Sequence, residues 1–165
     1  MGRDLIYYCP HCWVIVPAEA RHCPMCGALI EDQTADIVDK YMAALRHPQA
    51  ETRLRAAWVL GRMRATRAIP ALLAVVAARG RADHDPYLLS VAVKSLGQIG
   101  DKQAVPELAA LLADPNTSFM ARNEAISTLA RLGGDEARVA LQWALADPNR
   151  SVREHAQQIL KLIRS

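Results

Sequence analysis

Cys9-Pro10-His11-Cys12 and Cys23-Pro24-Met25-Cys26 are two C-x-x-C knuckles ten residues apart, and they hold all four cysteines of the 165-residue chain. Thiolates three residues apart can grip one ion from one side, and a second such pair completes a tetrahedron. Ligand number, type and spacing are those of a structural four-cysteine zinc site, with Cys9, Cys12, Cys23 and Cys26 holding one Zn2+. A catalytic zinc normally has three protein ligands and an open position, and four cysteines leave none open. His11 and His22 adjoin the ligands, and their places in the knuckles suit exposure or a hydrogen bond to sulfur better than ligation. Some thirty residues cannot bury enough apolar surface to fold alone. A zinc ion held by four thiolates supplies that free energy, about 10–16 kcal/mol in comparable peptides. Tyr8, Val14, Val16 and Leu29 are the apolar residues expected around it.

Other chemistry finds little support. A thioredoxin-like redox pair needs one C-x-x-C beside a βαβ unit, and none is visible. There is no Gly-rich phosphate loop and no specific Ser/His/Asp set. The reading is therefore that the protein is not an enzyme. Arg53, Arg55, Arg62, Arg64, Arg67, Arg79 and Arg81 form a basic stretch: residues 34–82 carry nine basic and three acidic residues, a balance of +6, within a chain of net charge +3. A solvated helical face is the plain reading of that stretch, and contacts to an anionic partner through Arg53, Arg55, Arg62, Arg64 and Arg67 are the alternative. Trp58 and Trp143 are read as core or groove residues, with a partner anchor as the sharper alternative.

The elements that must carry these residues are helices. The chain is 52% hydrophobic, 22% charged and 5% aromatic, which excludes a disordered chain and suits stacked Ala- and Leu-rich helices. The longest apolar run, Ala68 to Ala78, is too short for a bilayer and contains Pro70, so no membrane is expected. No apolar stretch precedes Cys9, so no signal peptide is expected and the default location is cytoplasmic. Thr34 is expected to cap a first helix, with Asp36 in its first turn and an apolar stripe of Ile37, Tyr41, Met42 and Leu45.

Internal repetition decides the architecture. Ala56, Val59, Leu60 and Met63 recur as Ala92, Ser95, Leu96 and Ile99, then as Ala125, Thr128, Leu129 and Leu132, then as Ala156, Ile159, Leu160 and Ile163. Each set is spaced i, i+3, i+4, i+7, one face of a helix. A second helix repeats Leu72, Val75 and Val76 as Leu108, Leu111 and Leu112, then as Leu141, Ala144 and Leu145. His47-Pro48, Asp85-Pro86, Asp114-Pro115 and Asp147-Pro148 punctuate the series, each proline being expected in the first turn of a new helix. Gly100-Asp101 and Gly133-Gly134 mark tight corners.

Two resemblances follow. Residues 8–30 resemble the short zinc ribbons of bacterial protein termini, keeping Gly27 after the second knuckle but carrying Trp13 after the first. A rubredoxin-like iron site uses the same knuckles, usually at a much longer separation. Val93 to Pro115 resembles the HEAT-like repeats of the phycobilisome-lyase type, and that resemblance extends from Arg53 to the C-terminus. It implies that Arg53, Arg122 and Arg153 tie neighbouring repeats together, with Leu89 in that place in the second repeat. Some HEAT-like enzymes hold two irons through repeated His-Glu pairs; here Glu154-His155 is reversed and unrepeated, so His155 is read as an exposed helix residue. The expected protein is all-α: a HEAT-like α-solenoid over residues 34–165 behind a small zinc ribbon over residues 1–30. It comprises an opening helix, three helix pairs and a closing helix. Its expected role is a protein–protein interaction scaffold or adaptor with a concave binding surface. The alternative is a nucleic-acid-binding module using the Arg53–Arg81 cluster and the ribbon.

Overall fold

A computed structural model describes residues 7–9, 11–17, 20–30, 36–81 and 85–164. The ribbon opens with an antiparallel pair, β1 (Tyr7–Tyr8) and β2 (Ile15–Val16), with Tyr7 opposite Val16 and Tyr8 opposite Ile15. Eight α-helices follow among the described residues: α1 (Ile37–Ala44), α2 (Ala50–Arg62), α3 (Ile69–Ala77), α4 (Pro86–Ile99), α5 (Val105–Ala113), α6 (Phe119–Leu132), α7 (Asp135–Trp143) and α8 (Arg150–Arg164). α2, α4, α6 and α8 pack side by side in chain order; α3, α5 and α7 form a second row, and α1 packs on α2. α3 seats on α4 and α5 on α6, so the second helix of each pair reaches into the next pair. This is an all-α solenoid with one continuous apolar core from Leu45 to Leu160.

The repeat phase read from the sequence is the phase of the core. Leu60, Leu96, Leu129 and Leu160 are all buried between the rows, as are Ala56, Ala92, Ala125 and Ala156. Ile37, Met63, Leu145 and Ile163 depart from their expected stripes and are exposed. Ile37 is the first residue of α1, Met63 and Leu145 lie just past the ends of α2 and α7, and Ile163 is in the last turn of α8, so each projects from a helix end.

Helix starts also differ in detail. Thr34 lies outside the described residues; Asp36 is itself the N-cap of α1, its carboxylate accepting from the Val38 N–H at 3.1 Å. Of the four punctuating prolines only Pro86 enters a first helical turn, with Asp85 capping α4 through the N–H groups of Tyr87 and Leu88. Pro48, Pro115 and Pro148 stay in the turn before the helix, which starts at Ala50, Phe119 and Arg150. All four turns share a local bond: His47, Asp85, Asp114 and Asp147 each accept from the backbone N–H two residues on. At Asp85 the same carboxylate also takes the Leu88 N–H and so becomes the N-cap of α4, whereas α6 is capped four residues after Asp114 by Ser118.

Helix ends follow the corner residues. Gly100 closes α4 with φ +84°, and Gly133 and Gly134 turn the chain after α6 with φ +66° and +98°. The aligned position after α2 is Arg64, which takes φ +50° without being glycine.

The front row is drawn together by a device used twice. Ser95 Oγ donates to the Ala57 carbonyl at 2.8 Å, and Thr128 Oγ1 donates to the Val93 carbonyl at 3.3 Å, each reaching one helix back. Gly61 and Gly97 provide the room: a Cβ on Gly61 would lie 2.7 Å from Ser95 Cα, and one on Gly97 would lie 2.9 Å from Thr128 Oγ1. Alanine favours a helix over glycine by about 1 kcal/mol. Overpacking against backbone costs about 1–3 kcal/mol. Gly61→Ala is therefore expected to lower the urea midpoint of the full chain, and by more than Gly97→Ala, whose new methyl meets only side-chain atoms. A raised midpoint for Gly61→Ala would show that α2 and α4 separate freely.

Candidate functional site

The two knuckles fold as copies of each other. Cys9 N–H donates to the Val14 carbonyl and Cys23 N–H to the Ala28 carbonyl, both at 2.9 Å; Trp13 and Gly27 N–H groups return to Cys9 and Cys23 carbonyls, also at 2.9 Å. His11 N–H points at Cys9 Sγ (3.3 Å) and Met25 N–H at Cys23 Sγ (3.4 Å). These backbone turns, with the two-stranded pairing behind them, bring the four sulfurs within 4.8 Å of one another. Cys9 lies 3.7 Å from Cys26, and Cys12 lies 3.5 Å from Cys23. A tetrahedron with metal–sulfur bonds of about 2.3 Å has sulfurs about 3.8 Å apart, so the donor set is compatible with one metal site.

The protonation of the sulfurs points the same way. Burial works against the Cys23 thiolate, but the N–H groups of Cys26 and Met25, together with hydrogen bonds from the Cys12 and Cys26 thiols, outweigh it and bring that thiol down to about 6. At Cys12 the Val14 N–H favours the thiolate, yet burial and the three other sulfurs together raise it to about 12. Four sulfurs this close cannot all ionise without a cation among them, and a divalent ion bound by thiolates removes that conflict.

Cys9, Cys23 and Val16 form the ribbon's small core, with Val14, Ala20, Ala28 and Ile30 packed against it. Leu29, expected there, is exposed. It pairs with His22 in an isolated β-bridge, and in an extended chain neighbours point to opposite sides, so Ala28 and Ile30 go in and Leu29 goes out. Trp13 adopts φ +59° where Gly27 has +72°, so the first knuckle makes the same turn with a bulky residue. Its indole meets the His47 ring edge-on, 4.7 Å between ring centres at 67°. That contact joins the ribbon to the turn between α1 and α2.

The basic stretch is dispersed. Arg53 donates to the His47 and Pro48 carbonyls at 2.9 Å and lies 3.4 Å from Asp85. Arg67 is paired with Asp36 and Asp39, and Arg79 with Glu107 and, at 3.8 Å, with Asp114. Arg64 sits at the corner after α2; Arg62 lies over the Trp58 ring, 5.7 Å from its centre; Arg55 is exposed on α2. His155 is half-buried rather than exposed, held between Ser127 and Asn123 at 3.3 Å.

Neither Trp58 nor Trp143 belongs to the core; both stand exposed. Trp143 borders a groove of about 490 Å³ between α5 and α7. A larger groove, about 980 Å³, runs among α1, α3 and the starts of α2 and α4, with Met42, Leu45 and Val75 on its floor and Arg46, Arg53 and Arg81 around it. A third, about 630 Å³, crosses the outer face of α2, α4 and α6 between Trp58, Tyr87 and Met120. The aligned surface positions of the repeat are the available signal for that third groove, because Tyr87 and Met120 fall 33 residues apart in register.

Comparison with known families assigns most of this chain. Residues 77–161 match the family profile for HEAT repeats, and residues 52–77 match the PBS lyase HEAT-like repeat. No curated protein matches the chain.

His47 stands where the later turns carry aspartate, and it accepts the Gln49 N–H through Nδ1, which requires the neutral ring. Burial first, and the Arg53 guanidinium second, push its pKa below the ordinary 6.5. A group whose folded pKa is lowered stabilises the fold fully above its unfolded value and loses that contribution as pH falls below it. Between pH 7.5 and pH 5 the wild-type chain is therefore expected to lose urea resistance that the non-titrating acceptor variant His47→Asn retains. Equal losses in the two proteins would remove His47 from the account.

Proposed function

Because this chain belongs to the HEAT-repeat family, we propose that it works as a non-catalytic protein-interaction scaffold, with a four-cysteine ribbon holding one structural Zn2+ through Cys9, Cys12, Cys23 and Cys26. The observation that carries this reading is the use of its arginines. Arg53, Arg79 and Arg122 join helix pairs to later turns and Arg67 pairs with α1, so these arginines are committed to the fold and the cations left over, Arg55, Arg62 and Arg64, do not extend into a long strip. What remains on the surface is a set of grooves with large apolar side chains at their edges. Tryptophan, tyrosine, methionine and arginine in such places are the side chains that dominate protein–protein interfaces. No helix among the described residues is long and apolar enough to cross a membrane. A cytoplasmic setting suits four thiols kept reduced for a metal.

The metal half of the proposal is tested by elemental analysis of the purified chain, with one zinc per chain expected. Cys23→Ser is expected to release the metal and unfold the ribbon while the helical circular dichroism of the solenoid persists, because the repeats bury a separate core. Iron in place of zinc, or no metal at all, would overturn it.

The scaffold half is tested against nucleic acid. Binding to generic duplex DNA and to oligo-dT at physiological salt is expected to be negligible, and the double variant Arg62→Glu, Arg64→Glu to keep its helix content and zinc. Micromolar, salt-sensitive binding abolished by the double variant would establish phosphate contacts and reverse the reading.

A further inference from the structure

The outer face of the front row is built from equivalent repeat positions, yet its two halves differ in chemistry. Toward the C-terminus the positions are polar and bonded to one another: Asn123 donates to Ser151 Oγ at 3.1 Å, and His155 bridges Ser127 and Asn123. That half is satisfied within the chain. Toward the N-terminus the same positions hold Trp58, Tyr87 and Met120, which are 51%, 64% and 50% exposed. They surround the groove of about 630 Å³, whose other walls are the partly buried Leu54 and Val91.

The charges at this groove are unmatched. Arg55 and Lys94 line it, and among the described residues neither side chain makes a hydrogen bond or ion pair; Glu124 is the one carboxylate in the lining. Arg62 adds a third cation over the Trp58 ring, 5.7 Å from its centre. An apolar floor with a cationic rim suits an occupant that brings a large apolar side chain and carboxylates together. The wall residues are aliphatic and thioether as well as aromatic, which fits a packed side chain better than a row of stacked bases.

We propose that this groove is the scaffold's docking site for an acidic segment of a protein partner, seating one large apolar side chain between Trp58, Tyr87 and Met120 while its carboxylates meet Arg55 and Lys94. The inference rests on the scaffold reading and adds to it the surface and the chemistry of the partner.

The test is a display selection of random peptides of about 16 residues against the full chain. The selected peptides are then synthesised and titrated by fluorescence anisotropy. Enriched sequences are expected to be net acidic with a large apolar residue. Their affinity is expected to fall about tenfold or more, the loss of about 1.4 kcal/mol, with Trp58→Ser. The same loss is expected with Arg55→Glu, which changes an exposed residue and leaves the fold intact by circular dichroism. Trp143→Ser, on the other row, should leave it unchanged. Peptides that lose binding with Trp143→Ser but not with Trp58→Ser would overturn this site while leaving the scaffold reading in place. Failure to enrich any peptide on any face would overturn both. Oligo-dT that binds more tightly than the peptides and depends on the same residues would overturn the site as a protein dock and assign it to nucleic acid.

Discussion

Everything in the solenoid depends on the joint between one helix pair and the next. A repeat array has no closing contact, so each pair is held only by its neighbours, and an error in one joint is not corrected elsewhere. Here the joint is a guanidinium. In the third repeat Arg122 donates to the Pro115 carbonyl at 3.0 Å and to the Thr117 carbonyl, and its Nη2 donates to Asp147 Oδ1 at 3.1 Å. The side chains of Arg122 and Asp147 are 4% and 5% exposed, so this is a buried ion pair. Such a pair gains little net free energy over a well-packed apolar substitute, because both charges must leave water. Its effect is on geometry: a planar fork that meets two carbonyls and a carboxylate admits one angle between successive turns. Arg53 does the same for the first turn, and Arg153 grips the Asp147 and Pro148 carbonyls at 2.7 and 2.9 Å. The second repeat has Leu89 in that place, fully buried, and Asp114 is met instead by Arg79, just past the end of α3, the first helix of the second row.

Two positions break the glycine rule of their motifs, and both concern the first repeat. Trp13 and Arg64 take positive φ where Gly27 and Gly100 stand in the sister motifs. A side chain there costs about 1–2 kcal/mol. The Trp13 ring reaches His47, in a turn where the later repeats carry aspartate. Aspartate would serve the turn equally well, as Asp85, Asp114 and Asp147 do, but would offer no ring to an indole. Histidine serves both, accepting the Gln49 N–H and presenting a ring edge to the ribbon. The ribbon and the solenoid have separate cores, and this pair links them through one residue that each motif would otherwise have filled differently.

Much of this is legible in the chain itself. The 31–36-residue recurrence locates the buried leucines, because burial on one helical face is what the i, i+3, i+4, i+7 pattern encodes. The knuckle spacing locates the cysteines, because short knuckles fold locally. The roles of Arg53 and Arg122 come through the family resemblance, whereas Arg153 bonds only the turn before its own helix, and Arg79, whose partners lie 28 and 35 residues on, carries no local signal of the role it shares with Arg53 and Arg122. Pro48 and Pro148 lie two residues, and Pro115 four, before the first residue of their helices, while Pro86 is the first residue of α4. A proline satisfies the first turn of a helix and the turn before it equally well, so the proline alone does not fix where the helix starts. Leu29 departs from expectation because composition cannot tell the two sides of an extended strand apart.

The exposed faces follow a different logic from the core. Core positions repeat because stacking demands the same shape at every joint, whereas outer positions are free to vary once the joint is made. Trp58, Lys94 and Ser127 occupy one aligned position, as do Tyr87, Met120 and Ser151. In a repeat protein the departures from the repeat are therefore where selection for something other than stacking is written. The C-terminal half of the outer face uses its freedom to bond its own side chains together, which stabilises the stack and leaves nothing to recognise. The N-terminal half uses the same positions to hold large apolar groups and unpaired cations in water, an arrangement that contributes nothing to stacking and gains free energy only when something covers it.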